Sequence, residues 1–129
     1  SKEQRFEPRD RERCVTISRC PPGAPRPALE AVRAIIATQR MSQRCAVLVV
    51  AAAGVEGLRD ICAEVGCSVH LARGAVGEFA GLGLMSRHDG SKDLRVFVTP
   101  SGLELARAAV KLAGTRAGVT VRLAKEAMR

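Results

Sequence analysis

The chain has 129 residues, which gives room for one domain of ordinary size with an arm at either end and excludes a large multidomain enzyme. Apolar residues make up 47% of the sequence, enough to bury a core, so wholesale disorder is not expected. The net charge is +8, and so basic a balance suits a polyanionic partner more often than an acidic small substrate.

The excess positive charge lies at the two ends of the chain. Residues 1–26 carry a net charge of +3 and residues 100–129 carry +4, whereas residues 58–99 are neutral. The ends are therefore expected to supply general attraction to nucleic acid, because that attraction depends on charge alone. Any sequence selectivity then depends on a few residues of the neutral middle.

The cysteines do not form a metal-binding pattern. There are five of them with no C-x-x-C pair, and the histidines, His70 and His88, are far along the chain from Cys14 and Cys20. Zinc sites need closely spaced ligand pairs, so no metal and no cofactor are expected. Cys67 stands beside a predicted helix start, where a thiol can sense an oxidant, with a plain structural role as the alternative.

The sequence contains no segment that predicts membrane insertion. Its longest apolar run, Cys45 to Ala53, has nine residues, which is too short to span a bilayer, and no hydrophobic signal segment is present. No membrane partner is expected, and the reducing cytoplasm is the expected location. Association with the nucleoid follows if the polyanionic partner is DNA.

The first predicted element is a basic, proline-rich arm over residues 1–26, because the prolines that crowd its end favour an extended backbone. Apolar residues then recur at helical spacing from Leu29, with Pro27 in a first-turn position. Ser42 is placed to cap a second helix, which runs through the apolar stretch to Ala53. A helix that is apolar all round is expected in the centre of the domain.

Two helices joined by the tight turn Gly66-Cys67-Ser68 predict a helix-turn-helix. The first covers residues 58–65, and the second, the recognition helix, covers residues 68–82. Strand-like segments then flank a turn with hairpin chemistry, which predicts a wing over residues 85–98.

A further capped helix opens at Thr99-Pro100-Ser101 and is predicted to stop at Gly114, after which a basic amphipathic segment follows. This order predicts a fold that is mainly α-helical with a small β-hairpin, a winged helix-turn-helix. The domain spans residues 27–113, is preceded by the arm and is followed by a basic helical extension over residues 114–129.

Several short motifs follow one another along about half of the chain. They are the turn Gly66-Cys67-Ser68, an apolar register leading to Gly83-Leu84 and Arg87, the wing-tip Asp93-Leu94-Arg95, and Thr99-Pro100-Ser101-Gly102. In this order they resemble the winged-helix domain of the multiple-antibiotic-resistance regulator (MarR) family of bacterial-type transcription regulators. The resemblance implies duplex DNA as partner, a homodimer, and a small-molecule effector of unknown identity.

The predicted site is the outward, N-terminal part of the recognition helix, because such helices read base edges there. The outward residues are Ser68, Val69, His70, Arg73, Gly74 and Gly77. Arg73 is the candidate for base readout, since its planar fork matches guanine O6 and N7. Ser68 exposes the helix N-terminus to phosphate, and the glycines let the backbone approach DNA. Simple solvation is the alternative for Arg73 and His70.

The wing contributes a second set of candidates. Arg87, Lys92 and Arg95 surround its turn, where pairing with phosphate is the simplest role. Arg95 is also placed to enter a minor groove. The alternative for Arg95 is an ion pair with Asp93 or Asp89.

The sequence thus predicts a DNA-binding transcription regulator without enzymatic activity, with its recognition helix in the major groove and its wing on the adjacent backbone or minor groove. A neutral winged core with a glycine-rich outer helix also suits a protein–protein adaptor of transcription or of a nucleoprotein complex. A third interpretation takes residues 46–50 as a buried strand of a nucleotide-binding α/β protein, although no G-x-G-x-x-G or P-loop motif accompanies it.

Overall fold

The structure, a computed structural model, describes residue 20 and residues 24–90 and 92–127, with side chains described as far as residue 114. Over these residues it contains five helices and one antiparallel hairpin. In chain order they are α1 (Leu29–Ala37), α2 (Gln43–Ala52), α3 (Leu58–Val65), α4 (Val69–Gly81), β1 (Met85–Asp89), β2 (Leu94–Val98) and α5 (Pro100–Ala127). The prediction of a mainly helical fold with a hairpin wing is confirmed. Most of the predicted arm, residues 1–19 and 21–23, lies outside the described residues.

Serine caps begin α2 and α4, as predicted. The Ser42 hydroxyl accepts a hydrogen bond from the Cys45 backbone N–H at 3.2 Å, and the Ser68 hydroxyl accepts one from the Leu71 N–H at 3.1 Å. Each bond satisfies a donor that the helix itself leaves unpaired. Gly66 ends α3 at a φ of +78°, in the left-handed region that favours glycine.

The centre of the core is α2. Its residues 46–52 are all buried, on every side of the helix. Leu58 and Ile61 of α3, Val76 of α4 and the inward residues of β2 belong to the same apolar cluster. The nucleotide-binding interpretation is therefore wrong, because the run that it takes as a strand is helical.

The hairpin is fixed to the helix-turn-helix along one edge. β1 and β2 pair antiparallel, with Met85 opposite Val98 at the open end. Alternate residues of β2 are buried, as expected for a strand with one face on a core. On its other edge β2 meets the loop before α3, where the Val96 N–H donates to the Glu56 carbonyl oxygen at 2.8 Å. The wing is thereby held against the start of α3.

The start of α5 explains the Thr-x-x-Gly pattern in the sequence. The Thr99 hydroxyl donates to the Gly83 carbonyl oxygen at 2.7 Å and accepts from the Gly102 N–H at 3.0 Å. A Cβ at residue 102 would lie 1.9 Å from the Leu84 carbonyl oxygen. Glycine is required there because α5 passes directly over the turn that follows α4.

α5 continues without a break to Ala127, so the predicted stop at Gly114 is wrong. A single glycine costs a helix interior only about 1 kcal/mol, and the neighbouring Ala113 packs with Ile35 of α1. The division of the chain after residue 113 stays a prediction. None of the described helices has both the length and the apolar character needed to cross a membrane.

Candidate nucleic-acid interface

The N-terminal half of α4 presents a solvent-exposed face. Its exposed residues are Ser68, Val69, His70, Arg73 and Gly74. On the opposite side, Ala72, Ala75 and Val76 are completely buried, as the apolar register predicts. Leu71 and Phe79, also predicted to face the core, are half-buried at its edge. The helix therefore anchors one side in the core and leaves its first two turns open for contact.

An arginine that the sequence interpretation missed joins this face. Arg44 belongs to the first turn of α2, and its guanidinium lies 3.9 Å from the place where a Cβ on Gly74 would stand. It also forms an ion pair with Glu78 of α4. With His70 and Arg73 it lines an open crevice of about 460 Å³ along the helix. No sequence signal identifies Arg44, because its contact with α4 is tertiary.

The wing meets α4 at Gly77. The Arg87 guanidinium on β1 lies 3.5 Å from the place where a Cβ on Gly77 would stand, so the glycine leaves room for the arginine to lie against the helix. Lys92 is exposed on the turn of the hairpin. Within the described residues, Arg73, Arg87 and Lys92 form no ion pair. Helix and wing thus make one continuous surface that carries uncompensated positive charge.

Arg95 stands apart from this surface. Its guanidinium pairs with Glu56 at 2.8 Å, across the edge of β2 that faces away from β1. Pairing with Asp93 or Asp89, the alternative from the sequence, is therefore wrong. Asp60 and Asp93 line the same hollow as Arg95. The arginine therefore lies in acidic surroundings, and its charge is already paired with Glu56.

The neutral charge of residues 58–99 does not describe the α4 face. Glu64 of α3 accepts two hydrogen bonds from the Arg33 guanidinium of α1, at 2.7 and 2.8 Å. This pairing holds the pKa of Glu64 below its usual value. Glu78 forms an ion pair with Arg44 of α2. Both acids are matched by arginines from outside the neutral segment, so neither of them is paired with Arg73, Arg87 or Lys92.

A second hollow lies behind the helix-turn-helix, between α1, the α1–α2 loop and the end of α3. Its volume is about 580 Å³, and its lining includes the apolar Ile36, Met41 and Val65 and the polar Gln39, Ser42 and Gln43. The Gln43 side chain also donates to the Gly66 carbonyl oxygen at 3.3 Å. Small-molecule sites commonly have this size and this mixed lining. An occupant would touch the turn that precedes α4.

The potential metal ligands of the described residues are dispersed. No three His, Cys, Asp or Glu side chains among them are close enough to hold a metal ion. His88, one of the two histidines, packs edge-on against Phe97 with ring centroids 5.3 Å apart.

Comparison with known proteins gives matches among solved structures. No protein-family model matches the chain, and no curated protein matches it at a significant level. A MarR-family transcriptional regulator from Rhodococcus sp. RHA1 is 26% identical over 78% of this chain and 80% of that chain, with a TM-score of 0.52. CouR from Rhodococcus jostii RHA1, solved with p-coumaroyl-CoA bound, is 26% identical over 78% and 79% of the two chains, with a TM-score of 0.51.

A third structure shares the fold at lower identity. BpsR from Bordetella bronchiseptica, whose DNA binding is regulated by 6-hydroxynicotinic acid, is 16% identical over 78% of this chain and 83% of its own, with a TM-score of 0.52. Of these neighbours, the protein from Rhodococcus sp. RHA1 is a MarR-family transcriptional regulator and BpsR is a protein that binds DNA. The resemblance noted in the sequence is confirmed: the chain forms a MarR-like winged helix domain.

Proposed function

We propose that the protein is a DNA-binding transcription regulator that places the N-terminal half of α4 in the major groove of duplex DNA. The observation that carries this proposal is that Arg73 and His70 of α4 line an open crevice with Arg44, while Arg87 of the wing lies against the same helix at Gly77. The major groove, about 12 Å wide, admits a helix whose outward N-terminal residues reach base edges. The likeness to MarR-family regulators supports the same assignment.

Base readout is assigned to Arg73, because its exposed guanidinium matches the paired acceptors of guanine and has no acid partner in the described part of the chain. Val69 is placed to meet a thymine methyl, and His70 a base or a phosphate. Ser68 and the N-terminus of α4 are placed to bind phosphate. Gly74 leaves the backbone free to approach the DNA.

Backbone contacts are assigned to Arg44, Arg87 and Lys92, since exposed cations beside a reading helix usually pair with phosphate. Gly77 contributes by letting Arg87 lie close to α4. Arg95 reaches the adjacent backbone or minor groove when it exchanges the Glu56 carboxylate for a phosphate. The basic ends of the chain supply the general attraction.

The proposed active unit is a cytoplasmic, nucleoid-associated homodimer built through α1 and α5, because two-fold operators are read by two-fold proteins. Leu105 and Leu112 lie seven residues apart, on the same side of α5, and are 46% and 67% exposed. Large exposed apolar side chains on one side of a helix suit a protein contact.

A small-molecule effector is proposed to bind in the hollow between α1 and α3. Two observations support this site: its mixed lining, and the hydrogen bond by which Gln43 connects it to Gly66 in the turn before α4. CouR, which binds p-coumaroyl-CoA, and BpsR, which responds to 6-hydroxynicotinic acid, show that structural neighbours take such molecules. An occupant that moves Gln43 would move the start of the recognition helix.

Selection from a random pool of duplexes with the purified chain, followed by affinity measurements over a range of salt concentrations, tests the proposal. A regulator enriches one sequence family and loses affinity steeply as salt rises, since each neutralised phosphate releases counterions. A protein that enriches no sequence, and whose affinity for duplex does not fall with salt, is instead the protein–protein adaptor that this fold also permits.

A further inference from the structure

The turn between α3 and α4 brings two cysteine side chains together. Gly66 adopts the left-handed conformation, and the Cys67 N–H donates to the Cys62 carbonyl oxygen at 3.3 Å. The Gly66 N–H donates to the same oxygen at 2.7 Å, so α3 ends in a left-handed glycine cap, and side chains on the two sides of such a cap commonly contact each other. Here both of those side chains are thiols, and both are free.

The chemistry of the two thiols is unequal. Burial raises the pKa of the Cys62 thiol, and the neighbouring Cys67 thiol raises it further. Cys62 is 8% exposed, whereas Cys67 is half-buried, so reagents reach the pair through Cys67. The Cys62 thiol also donates to the Ser68 carbonyl oxygen at 3.8 Å. The pair therefore contacts the residue that caps α4.

We propose that Cys62 and Cys67 form a reversible disulfide and that this disulfide weakens DNA binding by α4. The claim that the disulfide weakens DNA binding rests on the proposed function. The reaction is exchange with a low-molecular-weight disulfide: the Cys67 thiolate attacks one sulfur, and one small thiol leaves. The Cys62 thiolate then attacks Cys67 in the mixed disulfide, and the second small thiol leaves. The two protons lost by the cysteines are taken up by the two departing thiolates.

The disulfide changes the geometry at the start of the recognition helix. It fixes the sulfurs about 2.05 Å apart, well inside the contact distance of two thiols. It also removes the S–H group that donates to the Ser68 carbonyl oxygen. Both changes act on the cap of α4 and displace Arg73 relative to a bound base. The loss of one good base contact lowers affinity by about tenfold or more.

The disulfide itself is tested on the full chain equilibrated with oxidised glutathione, by blocking free thiols and mapping peptides by mass spectrometry. The expected product links Cys62 to Cys67, lacks two hydrogens, and disappears on reduction. Cys67→Ser and Cys62→Ala should not form it. Cys45→Ser, which alters a thiol on α2, is the matched control and should form it as the wild type does. Wild-type protein with both thiols unlinked would overturn the proposal.

The effect of the disulfide on DNA binding is tested by measuring affinity for a selected operator before and after oxidation. The wild type and Cys45→Ser should lose about tenfold and recover on reduction, while Cys67→Ser should not change. Two results would overturn this effect: a mapped disulfide with unchanged operator affinity, or an equal loss of affinity on oxidation of Cys67→Ser. If the reduced wild type binds no duplex, both the proposed function and the proposed effect of oxidation on DNA binding are wrong. The peptide map still shows whether Cys62 and Cys67 form a disulfide.

Discussion

Replacing Gly74 with alanine should separate the stability of α4 from its function. Residue 74 is exposed, and among the described residues an added Cβ would meet the Arg44 guanidinium at 3.9 Å, an ordinary contact distance. Alanine is favoured over glycine in a helix interior by about 1 kcal/mol. The free energy of unfolding should rise by roughly that amount, which corresponds to about 4 °C in melting temperature.

DNA binding by Gly74→Ala should change in the opposite direction. The new methyl group stands beside Arg73 and His70, where we propose that the backbone of α4 lies close to the duplex. Overfilling a close-packed contact costs about 1–3 kcal/mol, so operator affinity should fall by about tenfold. A more stable protein that binds DNA more weakly is the expected result.

Gly81→Ala provides the matched control. Residue 81 is the last residue of α4, about two turns beyond Gly74 and outside the N-terminal half of the helix, and an added Cβ would meet nothing within 4 Å in the described part of the chain. Thermal melts and fluorescence anisotropy with a selected operator compare both variants with the wild type. Operator affinity should be retained in Gly81→Ala. Full affinity in Gly74→Ala would refute the close approach of α4 to DNA at that residue.

Three further outcomes follow from the contacts. Gly102→Ala should lose about 2–4 kcal/mol of stability, because its Cβ would lie 1.9 Å from the Leu84 carbonyl oxygen. An unchanged melting temperature would contradict the close approach of α5 to the turn that follows α4. Glu64→Gln should lower the free energy of unfolding slightly at neutral pH. The native pKa of Glu64 is lowered by Arg33, so its contribution is present above the unfolded pKa and is lost as pH falls through the native value. The two proteins should therefore converge in acid, and a gap that is constant with pH would contradict the pairing. Arg95→Ala should weaken DNA binding with little change in sequence preference in a repeated selection, because Glu56 holds its guanidinium; an altered preference would show that Arg95 reads bases.

Sequence patterns predicted the elements whose ends are set by single residues. The caps at Ser42 and Ser68 and the glycine stop at Gly66 depend on local chemistry, and the helices begin and end there. The stop at Gly114 was wrong because the small local cost of a glycine is outweighed by packing, since Ala113 lies against Ile35 of α1. Local signals do not include that contact.

The charge arrangement of the candidate site depends on tertiary neighbours and could not be predicted. Arg44 reaches Glu78, 34 residues along the chain, because α2 and α4 pack together. Arg95 pairs with Glu56, 39 residues away, because the loop before α3 joins the edge of the wing. Net charge counted along a segment therefore gave a neutral core, although the folded surface beside Arg73 is basic.

The sequence preference of the Arg73→Ala protein is the most direct measurement of whether α4 reads DNA. Selection from random duplexes is carried out with the wild type, with Arg73→Ala, and with Arg107→Ala, an exposed arginine of α5, as the matched control. We expect Arg73→Ala to lose about 1–3 kcal/mol of discrimination at one guanine position, with an unchanged melting temperature, and Arg107→Ala to keep the wild-type preference. Identical preferences in Arg73→Ala and the wild type would contradict the placement of α4 in the major groove.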